Sequence, residues 1–493
     1  MDPLAGESVV VVGSGFGGLS TACYLADDGA DVTVLEKNGQ FGGRASRLEV
    51  DGFEFDMGPS WYLMPDVFER FFGAFGRTPE DYYDLEHLDP HYRIFFKDGD
   101  TVDIPATLAE SKRVFDSYED GAGEALESYL TESEYTYDVG MEHFVYEDRS
   151  RLRDFLDRDV ALNADGLSLL GSMQDHVERY FDHPKLRQIM QYSLVFLGGS
   201  PTNTPALYNL MSHVDFNLGV WYPEGGIGGV VDGIVEMGDE LGVTYRANQP
   251  VTEIKGRRGG FLVETETDGF TADIVVSNAD YAYTEQELLP PEKRSYDAEY
   301  WDSRTYAPSA FLLYLGVEGD VEELAHHSLV LPTDWQEHFD QIFETPSWPD
   351  DPAYYLCAPS KTDDTVAPDG HSTLFALVPI ASGLDDGPET RRRYRDVVLS
   401  DVAESTGVDL RDRIVVEETF SVSDFAERYN STKGSALGIA HTLTQTAAFR
   451  PSHRSKEVDG LYFTGSYTNP GIGVPMCLIS GDVTAEKVVD DHA

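Results

Sequence analysis

The stretch VVVVGSGFGG, Val9 to Gly18, runs four valines into glycines at GxGxxG spacing, Gly13, Gly15 and Gly18. A short, wholly apolar run is what a parallel strand covered on both faces requires, and glycines at this spacing turn such a strand into a helix. The first glycine permits the tight turn, the second lets a pyrophosphate approach the backbone, and the third brings helix against strand. The helix, predicted from Leu19 to about Asp28 before Gly29, aims free amide donors at the phosphates. Gly13, Gly15, Phe16, Gly17 and Gly18 are therefore candidate cofactor contacts. A second strand, Val32 to Leu35, ends in Glu36, whose carboxylate can accept from both ribose hydroxyls and disfavours the phosphorylated ribose of NADP. NAD and FAD both remain open at this point.

The chain continues as KNGQFGGRAS, residues 37–46. The diglycine and arginine, Gly42-Gly43-Arg44, add a second turn and a guanidinium that can hold a pyrophosphate from its other side. This resembles the signature of FAD enzymes of the amine oxidase and phytoene desaturase superfamily, and the resemblance implies FAD, with Lys37, Gly43 and Arg44 among its contacts. A plain NAD dehydrogenase would proceed to another βα unit. Here RLEVDGFEFD alternates Leu48, Val50, Phe53 and Phe55 about Asp51-Gly52, the pattern of a hairpin. The hairpin delivers Asp56-Met57-Gly58-Pro59-Ser60, and by the same resemblance Gly58, Pro59 and Ser60 lie near the flavin.

Near the other end stands GLYFTGSYTNPGIGVPMCLISG, Gly460 to Gly481. Leu461 to Thr464 reads as a strand, Gly465-Ser466 as a tight turn, and Pro470 to Gly473 as a loop opening a helix from Val474 to about Val489. A helix amino end there favours the negative charge of a reduced flavin's pyrimidine edge, so Gly465, Ser466, Ile472, Gly473 and Val474 join the candidate contacts. With WYPEGGIGGVVDGIVEMGDELGV (Trp221–Val243), PVTEI (Pro250–Ile254), VVSNAD (Val275–Asp280), FLGGSP (Phe196–Pro201), LAHH (Leu324–His327) and AFRPSHR (Ala448–Arg454), the chain resembles the bacterial and archaeal phytoene desaturase family over nearly its whole length. That likeness implies that Val251 presents its backbone to the adenine. Family members carry His-Pro-Gly and Pro-Gly in the C-terminal loop, where this chain has Asn469-Pro470-Gly471 and Pro475-Met476.

The implied fold class is α/β: a Rossmann-like FAD-binding domain with an inserted α+β substrate domain. The FAD-binding pieces fall at 1–75, 220–290 and 455–493, leaving 76–219 and 291–454 for the substrate domain. Leu126, Tyr129, Leu130, Tyr137 and Met141 recur at helical spacing, as do Leu186, Ile189, Met190, Leu194 and Leu197 after Pro184; such stripes are expected to face a core. In the resembled family, helices of this insert form a hydrophobic tunnel that docks on a membrane surface.

The 493 residues hold 88 Asp plus Glu against 36 Lys plus Arg, a net charge of −52. Such a surface excludes nucleic acid as a partner and matches proteins of salt-loving archaea, whose carboxylate coat stays hydrated where salt screens its self-repulsion. The three cysteines, Cys23, Cys357 and Cys477, lie too far apart for a zinc site or a disulfide framework. His326 and His327, as strand neighbours, are expected to point to opposite faces and so not to share a metal, and His441 invites a base or metal reading; no metal is assigned. No signal peptide or spanning segment is recognised, so a cytoplasmic protein with peripheral membrane contact is expected.

The resemblance implies carotenoid desaturation: hydride loss to flavin from an allylic carbon and proton loss from its neighbour. Phytoene-to-lycopene steps and 3,4-desaturation of a hydroxylated bacterioruberin precursor are both covered, the polar Asn469 favouring the second. No residue is assigned as proton acceptor, and the electron acceptor, oxygen or a quinone, is open. A carotenoid isomerase, a retinoid saturase, an amine oxidase and a non-catalytic prenyl-lipid escort protein are the competing readings.

Overall fold

The computed structural model describes residues 2–146, 171–332, 334–442 and 444–493, without the side chains of residues 143, 144 and 195–197. Its organising element is a five-stranded sheet in the order Leu461–Phe463, Ile274–Ser277, Ser8–Val12, Asp31–Leu35, Thr244–Arg246, with every pairing parallel. The valine run lies at its centre. Alternation along the strand sends Val9 and Val11 against Ala22, Leu25 and Val488, and Val10 and Val12 against Val263, Phe261 and Val275. One face is thus covered by helices, the other by a three-stranded antiparallel sheet, Val251–Arg257, Gly260–Thr265 and Gly269–Ala272. Double coverage explains why four consecutive valines are needed where a one-sided strand would need two.

The first helix spans Phe16–Asp27, so it starts three residues earlier than the sequence suggests, with Gly17 and Gly18 inside it. It is clasped by the helices Gly226–Leu241 and Val474–His492, the latter longer than expected by three residues. Small residues allow the approach: Ser20 Oγ donates to the Leu478 carbonyl at 2.8 Å, and a Cβ on Gly481 would sit 2.4 Å from the Ser20 Oγ.

A second, mixed sheet has seven strands in the order Ile414–Phe420, Ser309–Glu318, His371–Ile380, Tyr354–Cys357, His327–Leu331, Tyr92–Phe96, Thr101–Ile104. The predicted hairpin forms as Arg47–Val50 and Phe53–Asp56 and packs on this sheet. The Phe53 ring lies on Gly316, where a Cβ would be 2.7 Å from it, and Tyr314 donates to the Met57 carbonyl at 2.7 Å. Trp221–Pro223 pairs with Leu85–His87 and stays outside the parallel sheet.

Of the predicted stripes, the first lies on the helix Ala122–Gly140, except Met141, which opens the wider turn Met141–Val145. The second begins on the helix Pro184–Gln191, but its Leu194 falls on the tighter turn Tyr192–Leu197, and the side chain of Leu197 lies outside those described, as does that of Phe196. Among the described residues no helix is long and apolar enough to cross a membrane, and the three cysteines are free thiols.

Candidate cofactor and substrate site

One cavity of about 970 Å³ runs between the two sheets. At one end Gly13 turns with φ +95°, and its N–H is held by the Leu35 carbonyl at 2.8 Å. A Cβ on Gly18 would stand 2.3 Å from the Gly13 carbonyl, so this glycine serves helix–strand contact. Gly15 differs from expectation in its immediate reason: a Cβ there would meet the Asn278 side chain at 2.7 Å, and one on Gly17 would meet both that side chain and the Gly465 Cα at 2.9 Å. The amino end of the helix is thus kept bare by packing behind it.

Glu36, 4% exposed, holds its carboxylate rigidly at the mouth of the second strand. One oxygen accepts from Ser14 N–H at 2.9 Å and Ser14 Oγ at 2.6 Å, the other from Asn38 N–H at 2.8 Å and Asn38 Nδ2 at 2.9 Å. Lys37 leads elsewhere: its ammonium is bonded to the Glu427 carbonyl and to Asn430 Oδ1 at 2.8 Å. Gly43 faces Gly15 closely enough that a Cβ would lie 3.2 Å from its Cα, so the two glycine turns oppose one another. Arg44 donates from Nη2 to Ser431 Oγ at 3.2 Å, while its buried Nε has no hydrogen-bond partner among the described residues. Opposed turns, a helix amino end and an unsatisfied guanidinium N–H around one void fit a dinucleotide pyrophosphate, and so fit FAD.

Of the predicted contacts, Gly13, Gly15, Phe16, Gly17, Glu36, Lys37, Gly43, Arg44, Gly58, Pro59, Ser60, Val251, Ser466, Ile472, Gly473 and Val474 all line this cavity. Gly18 and Gly465 do not; both are packing positions, Gly465 (φ +101°) lying against Asn278. Asp56 is turned away to cap the helix Gly226–Leu241, accepting from Ile227 N–H at 2.9 Å and Gly228 N–H at 3.1 Å. Burial pushes its carboxyl up to about 6 despite those bonds.

The loop before the last helix is built by residues that motif reading left without a role. His441 Nε2 accepts from the Ile472 N–H at 3.0 Å, which places its proton on Nδ1, 2.6 Å from the Tyr208 hydroxyl. Burial, aided by Arg450, holds this imidazole neutral, far below its ordinary pKa. The buried Arg450 donates to the carbonyls of Thr468 (3.2 Å), Gln445 (3.2 Å), Ile439 (3.4 Å) and Ser466, fixing the Gly465–Gly473 loop from beneath. Asn278 and Arg450 stand in the quoted VVSNAD and AFRPSHR segments, so a signal existed, but their partners are remote in sequence.

Beyond the cradle the cavity walls turn apolar: Leu63, Met64, Leu207, Met211, Val214, Leu312 and Leu329 line it. From the first predicted stripe, Tyr137 and Met141 reach the cavity, whereas Leu126, Tyr129 and Leu130 are core. Ser60 Oγ meets the Tyr355 hydroxyl at 2.9 Å, which in turn meets His327 Nδ1 at 2.6 Å, and Trp61 stacks on His327 at 4.2 Å.

The opposite-face expectation for His326 and His327 fails. The strand begins at His327, so alternation does not govern the pair, and with Cys357 their ligand atoms gather within 4.8 Å. Burial holds the group uncharged: His326 is pushed down to about 3, His327 far down, and the Cys357 thiol up to about 12.

A family model described as flavin containing amine oxidoreductase matches residues 16–489. The chain is 68% identical to a carotenoid 3,4-desaturase of Haloarcula japonica, with 100% of both chains covered. It is 35% identical to a zeta-carotene-forming phytoene desaturase of Myxococcus xanthus, covering 98% of this chain and 94% of that one. Among solved structures, wild-type putrescine oxidase bound to putrescine superposes with a TM-score of 0.63 at 16% identity, over 98% of this chain and 99% of that chain. An oxidoreductase from Methanosarcina mazei gives 0.61 at 16% identity, over 96% and 98%. At such identities these two structures speak for the fold alone.

Proposed function

The chain belongs to the family of flavin containing amine oxidoreductases and is an FAD-dependent carotenoid desaturase; we propose that the bond it introduces is the 3,4 double bond of a linear carotenoid. The observation that carries the reading is continuity: one cavity joins the opposed glycine turns to an apolar channel across the second sheet. A small charged amine would not call for such walls, and a long polyene would.

Bound FAD supplies the acceptor for the hydride leaving an allylic carbon, and the neighbouring carbon's proton departs to water or a base, so each two-electron oxidation yields one double bond. In this reading Gly13, Gly15, Phe16, Gly17, Gly43 and Arg44 hold the pyrophosphate, Glu36 the ribose and Val251 the adenine side. Ile472, Gly473 and Val474 set backbone amides and a helix amino end where negative charge develops. His441 and Arg450 hold that loop in place. The apolar walls exclude water from the reacting carbons.

The same reading divides the chain into a cofactor domain, 1–75, 220–290 and 455–493, and a substrate domain from the remainder. Because carotenoids partition into bilayers, it includes peripheral contact with a membrane surface made by apolar groups. Flotation with liposomes in molar salt tests that part.

The central test is anaerobic incubation of flavin-loaded protein in high salt with phytoene, lycopene and oxygenated linear carotenoids. The expected result is flavin bleaching together with a polyene two hydrogens lighter and one double bond longer at C3–C4. A product of unchanged mass would make the enzyme an isomerase, and bleaching by amines alone would make it an amine oxidase.

A further inference from the structure

We propose that His326, His327 and Cys357 form a binding site for one zinc-type divalent cation, built into the second sheet behind the wall of the large cavity. The site stands independently of the desaturase reading, since none of its three residues lines that cavity.

Strand pairing sets the residues together. His327 opens the strand His327–Leu331 and stands directly opposite Cys357 in the antiparallel ladder. His326 accepts from the Ala358 N–H at 2.8 Å through its backbone carbonyl, and its ring meets that of His327 edge-on at 4.5 Å. One ligand atom from each of the three residues then lies within 4.8 Å of the other two. Tetrahedral ligands of zinc stand about 3.5 Å apart, so a side-chain closure of about 1 Å brings all three onto a single ion.

The ligands are already oriented from outside, as they are around bound metals. His326 Nδ1 is bonded to Thr362 Oγ1 at 2.7 Å, which leaves Nε2 for the ion, and that atom is buried with no hydrogen-bond partner among the described residues. Trp61 stacks on the His327 ring at 4.2 Å, and His327 Nδ1 lies 3.9 Å from the Cys357 sulfur. The hydroxyls of Ser60 and Tyr355, 2.9 Å apart, both reach that sulfur and can donate to it as a thiolate. Both residues line the cavity, so an ion here braces its wall.

His326, His327 and Cys357 are 6%, 0% and 1% exposed, and each imidazole keeps a buried nitrogen with no partner among the described residues. Such a group is costly in the core of a sheet. A divalent ion answers it: the thiol S–H breaks, the proton leaves to solvent, and the sulfur and both imidazoles donate lone pairs to the metal. One positive charge remains, and the carboxylates of Asp363 and Asp56, which act on His326 and Cys357, offset it. Sulfur with imidazole selects zinc-type ions over magnesium or calcium, which take oxygen.

The test is elemental analysis of flavin-loaded protein produced with added zinc and dialysed against EDTA in molar KCl. Because the ligands are enclosed, about one equivalent of zinc is expected to stay until the chain is unfolded, whereas ions on the acidic surface are lost. Protein produced with cobalt should retain the same amount and show tetrahedral d–d bands with a sulfur-to-cobalt charge-transfer band. Cys357→Ser should abolish the charge-transfer band, and His326→Gln should release the metal to the chelator. Thr362→Val, which only frees the His326 ring, should weaken metal binding about tenfold. Wild-type protein without chelator-resistant zinc, a cobalt spectrum without the sulfur band, or metal retained equally in Cys357→Ser and His326→Gln overturns the site. The wild-type spectrum and Thr362→Val decide the matter even where the two ligand variants fail to fold.

Discussion

The side-chain amide of Asn278 donates to the Thr464 carbonyl at 3.1 Å, tying the turn after one central strand to the turn after the edge strand. Its own N–H is held by the Val12 carbonyl at 2.8 Å. Any Cβ on Gly15, Gly17 or Gly465 would come within 2.6 to 2.9 Å of the same side chain. A single amide thus fills the space that three glycines vacate, locking three chain segments around the cradle. Asn278→Ala should cost about 1–2 kcal/mol of stability and lower the flavin retained on purification. Thermal unfolding and the ratio of flavin to protein absorbance check both, and unchanged flavin content would show that the clamp is dispensable.

Arg44 offers a buried Nε with no hydrogen-bond partner among the described residues. Arg44→Met should weaken FAD binding tenfold or more in titrations of flavin-stripped protein. Arg44→Lys, which keeps charge but loses the planar fork, should recover only part of the loss. Equal affinity in all three proteins would remove Arg44 from the cofactor's contacts.

Asp215 is buried and accepts from the Tyr92 hydroxyl at 2.8 Å, and desolvation raises its carboxyl from 3.8 to about 7. A folded-state pKa above the unfolded one means that its protonated form favours folding. That contribution is complete below about pH 4 and is lost as pH rises through 7. Asp215→Asn, which keeps an acceptor for Tyr92, should therefore raise Tm by about 2 °C at pH 8 and by almost nothing at pH 4. Calorimetry at fixed KCl decides it; a gain of the same size at both pH values would mean that the carboxylate's charge is not the cause.

A net charge of −52 predicts that the fold depends on salt. At 1 M the screening length falls to about 3 Å, shorter than most spacings between surface carboxylates. Tm is expected to climb steadily from 0.2 to 3 M KCl, and desalting should release flavin before the chain unfolds completely. A protein equally stable in dilute buffer would refute the halophilic reading.

The cradle was legible because its signals are local. Gly13, Gly18 and Glu36 owe their positions to a strand, a turn and a helix within thirty residues, and the sequence pattern describes those elements to within a few positions. Gly15 was legible as a residue but not in its reason, since Asn278 lies far along the chain. The histidine pair escapes strand alternation because the strand boundary falls between the two residues, and only pairing of His327 with Cys357 establishes that boundary. Lys37, expected as a cofactor contact, lines the cavity, yet its ammonium serves the Glu427–Asn430 turn, which sequence spacing does not connect to it.

What the amino-acid sequence determined by itself was the cofactor end and the salt-adapted surface, for both arise from short-range pattern and from summed charge. What only the tertiary structure decided was the use of the remaining side chains. Tyr137 and Leu126 share one helical stripe, yet the first lines the channel and the second the core. His338 shows no motif at all until the sheet brings it to the wall of the same cavity. Periodicity states which face of an element turns inward, whereas the packing of distant segments decides whether that inward face meets protein or a space kept open for a ligand.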